Sequence, residues 1–126
     1  WAIKSPVAKI YFSGDSGYGN HFKKIGENHG PFDISLLDCG QYNLAWKFVH
    51  MFPFEAVLAA KELKTKYFMP IHWGGFTLAL HPWDEPVIES IKLAEESGLS
   101  YITPGIGEVL TKDTINKSYL KWWEEY

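Results

Sequence analysis

The sequence alternates two kinds of segment, and that alternation restricts the chain to layered α/β folds. Ala8-Lys9-Ile10-Tyr11-Phe12 is β-branched and aromatic and ends in a Gly-rich turn from Gly14 to Gly19, a strand followed by a loop. From Asn20, Phe22 and Ile25 fall at helical spacing until Gly30-Pro31 stops the segment. Asp33 to Asp38 holds Ile34, Leu36 and Leu37 and ends near Gly40, the pattern of a short buried strand. Pro53 suits the first turn of a helix whose face Phe54, Val57, Leu58 and Lys61 mark out to about Lys64. Tyr67 to Ile71 is a further strand, ending at His72. Asp84 is placed to cap a third helix through Val87, Ile88, Ile91 and Ala94, closed by Gly98. Tyr101-Ile102 and Glu108-Val109-Leu110 read as closing strands, and the Trp-rich tail Tyr119 to Tyr126 as a docked helix.

Composition removes several function classes. With 126 residues, 46% of them hydrophobic, the chain can bury one sizeable core but not two. Twelve Lys and Arg against fifteen Asp and Glu give a net charge of -3, and the basic residues are scattered, so no footprint for nucleic acid exists. One cysteine, Cys39, excludes an internal disulfide framework and fits a reducing, cytoplasmic compartment. No apolar run approaches the roughly 18 residues of a membrane span. A chain that opens on Trp1 and runs straight towards a strand reads as cut from something longer.

The stretch Ser13-Gly14-Asp15-Ser16-Gly17-Tyr18 admits opposed chemistries. As a Gly-Asp-Ser-Gly nucleophile setting it would make Ser16 the catalyst, but only fifteen residues precede it, too few to place a His and an Asp. As a phosphate loop it fails because Gly14, Gly17 and Gly19 do not follow G-x-G-x-x-G. An anion held by free N–H groups before the helix is a weaker version of that idea. The third reading makes Asp15 a metal ligand. Asp15 and His72 each lie just beyond a strand, where α/β proteins gather functional groups at one sheet edge. The plainer reading has Asp15 bonding its own turn and His72 as a core histidine.

Four blocks carry a more specific signal: Phe12 to Tyr18; Phe22-Lys23-Lys24-Ile25-Gly26 with Gly30-Pro31-Phe32-Asp33; His50-Met51-Phe52-Pro53-Phe54-Glu55-Ala56-Val57; and Ile71-His72-Trp73-Gly74-Gly75-Phe76. In this order they resemble the C-terminal half of a metallo-β-lactamase-fold hydrolase, in the group related to N-acyl-phosphatidylethanolamine-hydrolysing phospholipase D and, more distantly, ascorbate-6-phosphate lactonase. The resemblance implies half of an αβ/βα sandwich, a mixed sheet with helices on one face, as one fragment over residues 1–126. It implies that Asp15 bridges two divalent ions, zinc first with manganese or iron as alternatives, that His72 binds the second ion, and that His50 has a catalytic, substrate-side role. Ester hydrolysis by a metal-bound hydroxide follows from such a site, on a phosphodiester or a lactone, small or lipid-like. Trp73, Phe76 and Tyr42 either line a groove or belong to the core.

The resemblance also sets limits. The family's H-x-H-x-D-H loop is absent, and His21, His29 and His81 do not form it. Two ligands fall short of the usual three for a catalytic metal. The isolated chain is therefore expected to be inactive and to hold little or no metal. Its expected partners are a missing N-terminal half or, through the exposed sheet face, a second copy. Phe54 stands where the family usually has an acidic residue, and Gly75 where Thr is common, which bears on the substrate side. The rival from another class is a metal-free α/β binding module in which Asp15 and His72 are structural.

Overall fold

The computed structural model describes residues 1–126. Four strands form one mixed sheet in the order β1 (Ala2–Lys4), β2 (Lys9–Phe12), β3 (Phe32–Asp38), β4 (Thr65–Ile71). β1 runs antiparallel to β2, and β2, β3 and β4 run parallel. The parallel pairs need crossover connections, supplied by α1 (His21–His29) between β2 and β3 and α2 (Pro53–Glu62) between β3 and β4. α3 (Glu85–Glu96) follows β4 and packs on α2.

Register explains the core. Tyr11 lies opposite Ser35, which lies opposite Phe68, and Leu37 opposite Pro70; all five are buried. Tyr11, Leu37 and Phe68 share one apolar cluster with Phe22 of α1, Ala56, Val57, Ala59 and Ala60 of α2, and Ala94 of α3, so the three helices cover the same face. The small residues of α2 let it sit close to its neighbours. At Gly26 of α1, an added Cβ would lie 1.9 Å from the Glu62 carbonyl oxygen, so this crossing requires glycine. The alternate residues, Ile10, Ile34 and Tyr67 in one row and Phe12, Leu36 and Met69 in the next, point to the other face; five are half-buried and Phe12 is exposed.

The helix boundaries follow local chemistry. Pro53 opens α2, and the Phe52 N–H donates to Glu55 Oε2 at 2.9 Å. Gly98, at φ +67°, closes α3. Asp84 precedes α3 as expected, but its side chain makes no cap hydrogen bond. Two expected strands do not form. Tyr101 makes a single bridge to Phe68, and Glu108 instead accepts from the Gly105 amide and pairs with Lys117, which holds the segment as a loop. The edge strand β1 was not anticipated. The tail ends in a 3-10 turn, Trp122–Glu125, whose Trp123 is buried against Val87 and Ile91. No helix is long and apolar enough to cross a membrane.

Candidate metal and catalytic site

The C-terminal ends of β2, β3 and β4 lie side by side, and the loops that leave them carry the chemistry. Asp15 sits three residues beyond β2, Asp38 is the last residue of β3, and His72 follows β4 directly. His50 comes from the loop that leads into α2.

Glycines bring these loops together. An added Cβ at Gly17 would lie 2.4 Å from the Phe48 carbonyl carbon, and the Gly17 amide donates to the Phe48 oxygen at 3.2 Å, so the Asp15 loop presses on backbone two residues before His50. Gly40 makes a similar approach: its Cβ would stand 1.9 Å from the His72 carbonyl oxygen. His72 is held at φ +67° and Gln41 at φ +57°, left-handed conformations that cost energy without glycine and that cluster at functional sites. Gln41 is buried and clamps the next loop, accepting from the Leu78 and Ala79 amides and donating to the Phe76 carbonyl.

Asp15, His50 and His72 each offer one ligand atom, and these atoms lie within 4.8 Å of one another. His72 Nδ1 is 3.8 Å from Asp15 Oδ1, with the side chains 39% and 60% exposed. Two atoms bound to one ion at about 2.0–2.1 Å each can stand at most about 4.2 Å apart, so this pair has the spacing of shared ligands. The donor set of two imidazole nitrogens and a carboxylate oxygen fits zinc and its first-row neighbours. The His50 and His72 rings stack with centroids 5.0 Å apart at 17°. A cleft of about 360 Å³, lined in part by Ile71, His72, Gly74 and Thr103, opens beside His72.

Asp38, in sequence simply the end of an apolar strand, is fully buried and contacts this cluster. Its Oδ2 accepts from the Ser16 amide at 3.2 Å and meets His50 Nδ1 at 2.9 Å, and its Oδ1 accepts from the Gly40 amide at 3.2 Å. Burial raises its pKa above the usual carboxylate range, and the His50 and Ser16 hydrogen bonds oppose the rise without cancelling it. The available signal was an Asp that closes an apolar strand, because a carboxylate buried there needs donors.

The other singled-out residues sort themselves by contact. The Ser16 hydroxyl donates to the Gly17 carbonyl at 3.0 Å, and none of its hydrogen bonds reaches an imidazole that could serve as a base. His81 is buried under Tyr42, and His21 and His29 lie at the two ends of α1, away from the cluster. Trp73 stacks on Trp122 at 5.1 Å and meets Trp123 edge-on, which makes it a packing residue. Tyr42 donates to Glu85, and burial together with that carboxylate pushes its pKa up. Phe76 is exposed on the loop that Gln41 holds.

Residues 1–73 match the family described as "Beta-lactamase superfamily domain". An uncharacterised protein of Mycobacterium tuberculosis strain H37Rv is 43% identical over 111 residues, covering 86% of this chain and 30% of that protein. N-acyl-phosphatidylethanolamine-hydrolyzing phospholipase D 1 of Caenorhabditis elegans is 34% identical over 119 residues, covering 86% of this chain and 33% of its own. The chain thus spans about a third of the length of these relatives. The fold is shared with a solved metallo hydrolase of the archaeon Ignicoccus hospitalis, with TM-score 0.64 and 21% identity over 86% of this chain and 43% of that one.

Proposed function

The chain belongs to the β-lactamase superfamily, a superfamily of metallo-hydrolases, and from that membership we propose that it is the C-terminal part of a metal-dependent hydrolase that cleaves an ester bond, a phosphodiester or a lactone. The observation that carries this reading is the convergence of Asp15, His50 and His72 from three separate loops onto one sheet edge. Parallel strands return the chain to one sheet edge in either reading; the metal reading adds a use for the 3.8 Å spacing of His72 Nδ1 and Asp15 Oδ1.

In this reading Asp15 and His72 hold divalent cations, two zinc ions or their manganese or iron equivalents, together with ligands from a segment outside this chain. At such a site Asp15 would contribute carboxylate oxygen and His72 an imidazole nitrogen. Bound cations supply Lewis acidity and a water of lowered pKa. His50 faces the same space and takes the substrate side, where its Nε2 can hydrogen-bond a reacting ester oxygen. The cleft beside His72 gives room for the ester's organic group, small or lipid-like.

The open-face residues Ile10, Ile34 and Leu36, half-buried, and Phe12, exposed, support docking of a second layer, supplied by the missing N-terminal part or by another copy of the chain. Without that N-terminal part the chain is inactive. The test is metal analysis with hydrolysis of a generic phosphodiester and a generic lactone by the full-length protein, beside Asp15→Asn and Ser16→Ala. Metal content and turnover fall together in Asp15→Asn, the latter by about 100-fold or more on the scale of a lost charge-stabilising group. They change little in Ser16→Ala. A full-length protein free of stoichiometric metal selects the binding module instead.

A further inference from the structure

We propose that Asp38 is a positioning residue that sets the tautomer and orientation of the His50 ring while anchoring the loop that carries Asp15; this rests on the hydrolase reading above. The geometry behind it is a single buried carboxylate with contacts on both sides of the site. With Asp38 ionised its carboxylate only accepts hydrogen bonds, and the 2.9 Å contact between His50 Nδ1 and Asp38 Oδ2 then puts the ring proton on Nδ1 and leaves Nε2 with its lone pair free. The same Oδ2 takes the amide of Ser16, the neighbour of Asp15, at 3.2 Å. The Asp38 amide in turn donates to Ser13 Oγ at 2.9 Å, and that hydroxyl donates to the Gly14 carbonyl at 2.6 Å. Residues 13, 14 and 16 are thereby tied to Asp38 directly or through one hydroxyl, and Asp15 projects between them.

Burial gives this arrangement its consequence. Asp38 has no solvent exposure, so removing its charge leaves the His50 N–H and the Ser16 N–H facing a poorer acceptor that water cannot easily replace. The His50 side chain is 14% exposed and stacks on His72, so its remaining freedom is rotation about its own axis and choice of tautomer, the two variables that Oδ2 restrains. Groups that orient a functional histidine in this way change activity by about 10–100-fold when altered.

The experiment is a double-mutant cycle on the full-length protein with Asp38→Asn, His50→Gln and the pair, read as kcat, KM and bound metal per chain on a generic phosphodiester. A long-range proton–nitrogen spectrum of histidine-labelled, metal-stripped protein at pH 8 accompanies it. Expected results are a 10–100-fold fall in kcat for Asp38→Asn with KM within about 3-fold and metal retained, and no further fall when His50 is already Gln. The wild-type spectrum shows His50 protonated on Nδ1, and Asp38→Asn shows a mixture of tautomers. Additive losses, unchanged kcat in Asp38→Asn, or an Nε2-protonated His50 in the wild type overturn the proposal. If Asp38→Asn does not fold, the wild-type spectrum still decides it. Activity that survives Asp15→Asn sinks the underlying hydrolase reading, whereas Asp15-dependent activity with an indifferent Asp38 sinks this inference alone.

Discussion

The two faces of the sheet carry similar residues and meet different surroundings. On one face Tyr11, Leu37 and Phe68 are closed off by α1, α2 and α3; on the other Ile10, Ile34, Leu36 and Met69 keep partial access to solvent. Strands apolar on both sides are the pattern of parallel sheets covered on both faces. The chain supplies helices for one cover only, so the difference between the faces reflects what packs on them rather than the strands themselves. The sharpest way to break that comparison is Phe68→Ala in the 126-residue chain. Phe68 is fully buried, and losing its ring in a packed core costs about 3–5 kcal/mol, seen as a large drop in the urea midpoint at constant m. A cost under about 1 kcal/mol would mean that the helix-covered face is as loosely packed as the other.

The second effect concerns pH. Burial pushes the Cys39 thiol up to about 12 in the fold. The unfolded thiol titrates near its ordinary value of about 8.5. The folded pKa is the higher one, so this stabilisation is complete below about pH 8.5 and is lost as pH rises towards 12, at roughly 1.4 kcal/mol per unit. Tyr11 and Tyr101 are raised by burial in the same sense. Unfolding free energy measured from pH 8 to 10 should fall, and Cys39→Ala should flatten the slope by up to about 2 kcal/mol. Equal slopes in the two proteins would show that the thiol is accessible in the fold.

A third change acts where the covered face is tightest. Gly26→Ala places a methyl group against the Glu62 carbonyl, and α1 must move away from α2. Overpacking of this kind costs about 1–3 kcal/mol. A variant as stable as the parent would show that the two helices separate freely.

Much of this was legible in the sequence, and the parts that were not share a cause. The helices and the three parallel strands could be placed because Gly30-Pro31, Pro53 and Gly98 punctuate clear apolar periods. β1 was missed because three exposed residues, Ala2 to Lys4, carry no burial pattern, and only pairing with β2 makes them a strand. Glu108 to Leu110 shows the converse, a β-prone triplet that finds no neighbouring strand and stays a loop. In the cluster, Asp15, His50 and His72 are picked out in the sequence by motif blocks that resemble those of a known family. Asp38 and Gln41 are not, since their importance lies in contacts across 12 to 38 residues of sequence that only the folded chain brings together. A motif reports the residues at the surface of a site; its supporting groups are visible only as buried polar side chains that need partners.

The smallest effect tests the open face. Leu36 lies in the middle strand of that face, between Phe12 and Met69, and is half-buried in this chain. Leu36→Ala removes apolar surface that is already partly wet and leaves no closed cavity, so in the 126-residue chain it should cost under about 1 kcal/mol, well below Phe68→Ala. In the full-length protein, where a second layer is proposed to cover the row, the same change opens a true cavity and the cost should rise to about 2–5 kcal/mol. The ratio of the two costs therefore measures cover on this face without any assay of function. If cover comes from another copy of the chain, the thermal midpoint of the 126-residue protein rises with concentration, and Leu36→Ala weakens that dependence. A small, concentration-independent cost in both the chain and the full-length protein would show that the face stays open to solvent, and the case for a docking layer would fall with it.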